Sequence, residues 1–233
     1  MAASSDPATV VVYTDVACPW STLALHRFYA ARSELGYDDV VRVEHRLFLL
    51  EDVNRAPTPK RGIEAEIPVV GALDPGLGLK PWQQEPSAWP VTSLLANEAV
   101  HAARQQSLEA AEDLDMALRL AFFRDSRCIS MLHEVVAVAK ECDAVDAEAL
   151  RAALDDGRAR GPMMAQYRAE RDDVQGSPHF VLPDGENMVN PGVRMHWEGD
   201  PEAGYPVVDS DDPTVYQDLL RQVATTGQSS ASR

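Results

Sequence analysis

The chain has 233 residues, 45% of them hydrophobic, enough to bury a sizeable core in one large domain or one domain with an insertion. Lysine and arginine number 21 against 37 aspartate and glutamate, a net charge of −16. That balance opposes binding to nucleic acid and to anionic lipid surfaces, and its simplest consequence is solubility.

Cys18, Cys128 and Cys142 are the only cysteines, an odd number and too few for a disulfide framework. The N-terminal residues Met1 to Pro7 are polar, without the apolar stretch of a signal peptide, and no run approaches the length of a membrane span. These features predict a protein of the reducing cytoplasm, where a lone reactive thiol survives.

In chain order, residues 10–14 are a short β-branched run that reads as a buried strand. Pro19 suits a first helical turn, where its missing N–H would be unpaired anyway. Leu23, Leu25, Phe28, Tyr29 and Leu35 follow at helical spacing up to Gly36, predicting a helix over 22–33. Residues 40–50 predict a second strand with Val41, Val43, His45, Leu47 and Leu49 on one face. Strand, helix and strand at this spacing make a βαβ unit. Residues 56–90 hold seven of the sixteen prolines and read as irregular; Trp82 and Trp89 inside them predict a packed loop.

Helical periodicity then takes over, with candidate helices at 91–106, 108–123, 129–142, 147–154 and 162–171. Asp146 is placed to cap the fourth of these, its carboxylate accepting from the amides that follow. Residues 174–182 return to strand character, Pro183-Asp184-Gly185 signals a turn, and 187–193 is a partner strand. An acidic loop at 209–212 leads to Pro213, a last helix at 214–224 and a frayed polar tail. The predicted fold is α/β: a βαβ–ββα sheet domain made of 9–55 and 172–226, interrupted by a loop and all-helical insertion at 56–171, with flexible termini at 1–8 and 227–233.

The segment carrying chemistry is Cys18-Pro19-Trp20-Ser21, between the first strand and the first helix. Unpaired helix N–H groups point at such a cysteine and favour the thiolate, which is the nucleophile; this predicts thiol chemistry of the thioredoxin type. Bringing a thiol from about 8.5 to about 7 takes roughly 2 kcal/mol. A helix terminus supplies roughly 0.3–1 kcal/mol. Hydrogen bonds must supply the rest, with Ser21 and the Trp20 amide as candidates; Arg27 is two turns away. The bland alternative is an inert core thiol. Asp15 either shifts that titration or caps the turn. The six histidines, His179 among them, show no metal-ligand spacing, no metal is expected, and Gly76-Leu77-Gly78 lacks the flanks of a nucleotide signature.

Asp15-Val16-Ala17-Cys18-Pro19-Trp20-Ser21 resembles the active-site segment of DsbA-like thioredoxin-fold proteins, most closely the FrnE-type branch, whose motif is Cys-Pro-Trp-Cys. Gly176-Ser177-Pro178-His179-Phe180 resembles that family's cis-proline loop, and Phe122-Phe123 to Ile129 the insertion segment that caps its active site. The resemblance implies a thioredoxin fold with a helical insertion, Cys18 as nucleophile, and Pro178 as a cis-proline facing it. Ser177 would pair its backbone with an extended substrate, and Pro19 and Trp20 would form the active-site rim. His179 is then a possible neighbour of the thiol, though a surface position is the expectation. Cys128 and Cys142 are expected as small core residues of the insertion; Cys128 is a possible remote resolving thiol, a role that the narrow Cα separation tolerated by disulfides counts against.

Ser21 is where the family carries its second cysteine, and serine cannot attack a mixed disulfide. The implied activity is therefore monothiol exchange or isomerisation, resolved by an external thiol. No tightly bound cofactor is implied; a low-molecular-weight thiol is a possible co-substrate. Partners would be a disulfide- or thiol-containing protein or small molecule, with a homodimer left open. Two rivals stand beside this. Kappa-class glutathione transferases and 2-hydroxychromene-2-carboxylate isomerases are similar in architecture but place serine at the position of Cys18. A non-catalytic thioredoxin-fold binding module is the other.

Overall fold

The computed structural model describes residues 7–200 and 203–231. Strand β1 (Ala8–Thr14), helix α1 (Pro19–Glu34) and strand β2 (Val41–Leu47) form a βαβ unit in which β1 and β2 run parallel, Val10 opposite Val43. The alternation in β2 is strict: Val41, Val43, His45 and Leu47 are buried and the residues between them are not, as period-2 geometry requires of a half-buried strand. After a long helical excursion the chain returns as β3 (His179–Val181) and β4 (Asn187–Val189). β3 lies antiparallel to β1 and β4 antiparallel to β3, giving the order β2-β1-β3-β4. This is the thioredoxin sheet.

Val10, Val12, Val41, Val43 and Phe180 from the sheet pack against Phe28 of α1 and against Tyr216, Leu219, Leu220 and Val223 of the last helix, α9 (Val215–Ala231). Fully burying a side chain such as Phe28 contributes about 1.5–3 kcal/mol. The excursion between β2 and β3 contains α2 (Leu50–Asn54), α3 (Lys60–Leu73), α4 (Leu94–Arg104), α5 (Leu108–Phe123), α6 (Leu132–Ala139), α7 (Ala147–Asp155) and α8 (Arg160–Glu170). Ala96, Ala99 and Ala103 of α4 meet Ala110, Ala111, Leu114 and Leu118 of α5 in its core. The small alanines let the two backbones approach closely. Asp146 caps α7 as expected, accepting from Glu148 N at 3.1 Å and Ala149 N at 2.9 Å. Trp82, Trp89 and Phe122 pack edge-to-face or steeply tilted with centroids 5.1–5.9 Å apart, so the proline-rich stretch is packed.

The structure corrects several sequence expectations. Within the stretch read as irregular, α3 is a 14-residue helix. Its Ile63, Ile67 and Val70 are buried at helical spacing, and the interior Pro68 lies on the exposed face, so lost backbone pairing there is met by solvent. The expected acidic loop is the end of a strand. β5 (Val193–Glu198) and β6 (Tyr205–Asp211) form a separate antiparallel hairpin. Gly192 roots it at a φ of +80°, where a Cβ would collide with the Asp212 carbonyl. Strand β3 is shorter than predicted because 174–178 form the loop before it. Helix α9 runs to Ala231, beyond the predicted tail boundary. At the termini, residues 1–6 and 232–233 lie outside the described residues. No helix of the described residues is long and apolar enough to cross a membrane.

Candidate active site

Cys18 is the N-cap of α1, in extended conformation, with Pro19 in the first turn. The turn that delivers it is held by Asp15, whose side chain is fully buried. Asp15 Oδ1 accepts from Ala17 N at 2.9 Å and Asn97 Nδ2 at 3.0 Å. Its Oδ2 accepts from Leu50 N and Ser93 Oγ, both at 3.0 Å. A carboxylate with that many donors is a fixed structural element. Beneath the same turn lies Arg119, also fully buried. It is paired with Asp115 at 2.7 Å and donates to the Asp15 carbonyl at 2.9 Å and to Thr14 Oγ1.

Opposite Cys18 is the loop before β3, where the Ser177–Pro178 peptide is cis. The Cys18 thiol donates to the Ser177 carbonyl at 3.2 Å. Ser177 Oγ also accepts from the Asp15 amide at 3.1 Å and shares a 2.7 Å hydrogen bond with Ser21 Oγ. Cys18, Ser21 and Ser177 are thus one bonded cluster.

A cavity of about 1040 Å³ opens beside it. Asp15, Cys18, Pro19, Trp20 and Ser177 form one side, α2 and α3 the other, and Trp197 of the β5–β6 hairpin a further edge. The Phe122–Ile129 segment, expected to cap the site, does not line it: Phe122, Phe123 and Ile129 are in the core of the insertion. The cap is α3 and the hairpin instead.

Cys18 is only 4% exposed. Burial pushes its thiol up, and the Glu66 carboxylate of α3 adds to this; the Ser21 and Ser177 hydroxyls and the Ser21 amide pull it back down. This corrects the expectation of a thiol held low by the helix terminus. Desolvation of the thiolate outweighs the helix and its hydrogen bonds. The amide that helps belongs to Ser21, not Trp20. Arg27 does not contribute, being engaged with Asp211 and the Leu73 carbonyl. Trp20 is buried, and its indole N–H donates to Glu66 Oε1 at 2.9 Å.

The remaining candidates lie elsewhere. His179 is buried, not on the surface; Gln175 N donates to its Nδ1 at 3.3 Å and Asn187 Oδ1 lies 3.0 Å from its Nε2. It belongs to β3 and does not line the cavity. Cys128 is free and also off the cavity. Cys142 is buried in the insertion core, where burial raises its thiol to about 12. The sequence did not disclose Glu66, Ser93, Asn97, Arg119 and Trp197, because each reaches the site across long sequence separations.

The structure resembles solved thioredoxin-fold proteins. Against the probable DsbA oxidoreductase of Streptomyces coelicolor the TM-score is 0.64 at 21% identity, covering 93% of this chain and 89% of that one. Against the cytosolic disulfide reductase DsbM of Pseudomonas aeruginosa it is 0.58 at 15% identity, covering 96% and 98%. A 2-hydroxychromene-2-carboxylate isomerase gives 0.55 at 18% identity, covering 77% and 87%. A comparison with curated proteins returns no match. Residues 9–197 match the DSBA-like thioredoxin domain, which takes in the Cys18 turn, the insertion, the cis-proline loop and the first strand of the hairpin. The chain therefore belongs to the DSBA-like thioredoxin domain family.

Proposed function

We propose that this protein performs thiol–disulfide exchange with Cys18 as its only exchanging sulfur. The Cys18 thiolate attacks one sulfur of a disulfide RS–SR; a Cys18–S–S–R bond forms and RS⁻ leaves. A thiolate from outside then attacks the mixed disulfide and regenerates Cys18. The observation that carries this reading is the bonded cluster itself: Cys18 opens on the cavity and Ser21, the only neighbour at resolving distance along the helix, is a hydroxyl bound to Ser177. Cys128 is off the cavity, so resolution falls to an external thiol. Pro19, Trp20 and Ser177 line the cavity that would receive the substrate, with the buried cis-proline Pro178 directly after Ser177. Three free cysteines suit a reducing compartment such as the cytoplasm. Placement in the FrnE-type branch rests on the Cys-Pro-Trp-Ser segment.

The test is turnover of a fluorogenic small disulfide with and without added low-molecular-weight thiol. The reading predicts one equivalent of product without the external thiol, sustained turnover with it, and neither in Cys18→Ala. Sustained turnover in Cys18→Ala overturns it.

The size of the cavity and the raised thiol favour a second reading: a transferase or isomerase that binds a small thiol without covalent capture. In that case a Cys18→Ser variant retains turnover on an electrophilic substrate, and under the first reading it does not.

A further inference from the structure

Glu66 is a titratable group that the exchange scheme leaves unused. It stands on α3 and lines the same cavity as Cys18. Its Oε1 is fixed by the Trp20 indole, two residues from the nucleophile, and its Oε2 accepts no hydrogen bond from a described residue. No cation pairs with it among the described residues. Of the other charged groups on this cavity, Asp15 is committed to its donors and Glu51 accepts from Thr92 at 2.6 Å. Lys60 is paired with Glu64 of its own helix and lies over the Trp89 ring, and Arg61 is exposed at the lip. On the elements packed against α3, Asp211 is held by Arg27, Asp209 by His196 and Asp74 by His26. Glu66 is thus a carboxyl on the same cavity as the thiol, close enough to act on it electrostatically, with one oxygen to spare.

We infer that Glu66 is the acid–base residue of the exchange: its carboxylate takes the proton of the Cys18 thiol, and the resulting carboxylic acid gives that proton to the departing thiolate. The inference rests on the exchange chemistry proposed above. The proton balance closes: Cys18–SH and Glu66–COO⁻ become Cys18–S⁻ and Glu66–COOH. The Cys18–S–S–R bond then forms, RS⁻ takes the proton and leaves as RSH, and the carboxylate is restored. The physical advantage is charge conservation in a desolvated wall. A thiolate formed beside an ionised Glu66 is a second buried negative charge, whereas proton transfer between the two keeps a single charge throughout. Burial pushes Glu66 up to about 7, against the pull of the Trp20 donor, so both forms are present at neutral pH.

The test uses Glu66→Gln, whose side-chain oxygen can still accept from Trp20. Rates of Cys18 mixed-disulfide formation are measured by intact mass with two probes. One is an aryl disulfide, 5,5′-dithiobis(2-nitrobenzoate), whose leaving thiolate needs no proton. The other is bis(2-hydroxyethyl) disulfide, whose leaving thiolate is basic. The inference predicts that Glu66→Gln lowers the dialkyl rate by about tenfold or more relative to the aryl rate. In the native protein the dialkyl rate should rise with pH up to neutrality, as the Glu66 carboxylate that takes the thiol proton forms, and level off above it while Cys18 remains a thiol; this measurement stands even if the variant fails to fold. A dialkyl rate that keeps climbing with pH through and above neutrality, or a dialkyl-to-aryl ratio unchanged in the variant, overturns the role of Glu66. Absence of any Cys18 adduct with either probe overturns the exchange reading itself, and this role with it.

Discussion

The hydroxyl oxygens of Ser21 and Ser177 lie 2.7 Å apart, so the fourth residue of the motif is bound directly to the residue before the cis-proline. Where a second thiol would compete for the mixed disulfide, this protein has a hydroxyl that helps hold the Cys18 sulfur's surroundings in register. The Ser21 hydroxyl also supplies the strongest of the hydrogen bonds that lower the Cys18 thiol. A Ser21→Ala variant loses that bond, worth about 0.5–1.5 kcal/mol. Alkylation of Cys18 by iodoacetamide at neutral pH should slow by about two- to tenfold. An unchanged rate would show that the hydroxyl does not act on the sulfur.

Ser21→Cys restores a second thiol at the same position. The mixed disulfide on Cys18 should then be short-lived, replaced by an internal Cys18–S21C disulfide seen as a loss of two hydrogens by mass. Release of the second RSH, the half held in the mixed disulfide, should no longer require an external thiol, so two equivalents of product should form without one. Persistence of the mixed disulfide in this variant would show that the two positions do not communicate.

Arg119 carries the structural load beneath the site. It is fully buried, bound to Asp115 and to the carbonyls of the turn that presents Cys18. Removing it strands the Asp115 carboxylate in the core, which costs about 3–5 kcal/mol. Arg119→Met should lower unfolding stability by that amount in denaturant titration. The double change with Asp115→Leu should cost much less, since no unpaired charge remains.

Histidines set the acid limit of stability. His101, 8% exposed on α4, is held down to about 4 by burial first and Arg104 second. His45 is lowered too, again chiefly by burial. Unfolded histidine titrates near 6.5, so for His101, between about 6.5 and 4, the unfolded chain binds a proton that the folded chain refuses. The stability this contributes is present above that window and falls as pH drops through it, by up to about 1.4 kcal/mol per pH unit; His45 acts in the same direction. His101→Gln should flatten the profile between pH 6.5 and 4 in thermal unfolding. An equal slope in the variant would contradict this account.

What the sequence disclosed was local. The β-branched run of β1, proline at the start of α1 and the cysteine between them are adjacent in the chain, and so is the Gly176-Ser177-Pro178 loop. Helix α5 matches its apolar periodicity to both ends, and in the fold Ser107 caps its start, accepting from Ala110 N at 2.9 Å. Helix α3 was hidden by Pro68 and two glycines, each a breaker by composition, although the apolar face formed by Ile63, Ile67 and Val70 overrides them. Strand β6 was hidden by Pro206 and its aspartates, which an exposed hairpin edge tolerates. The environment of the thiol was not legible for the same reason. Glu66 and Arg119 reach Cys18 only through the tertiary fold: Arg119 donates to its carbonyl, and Glu66, after burial, raises its thiol.

The account turns on Cys18 being the one sulfur that exchanges, and intact-mass analysis after incubation with oxidised glutathione addresses it most directly. It predicts a single glutathione adduct on the native protein, mapped by peptide analysis to Cys18, and none on Cys18→Ala. An adduct that persists in Cys18→Ala, or one that passes from Cys18 to Cys128, would contradict it.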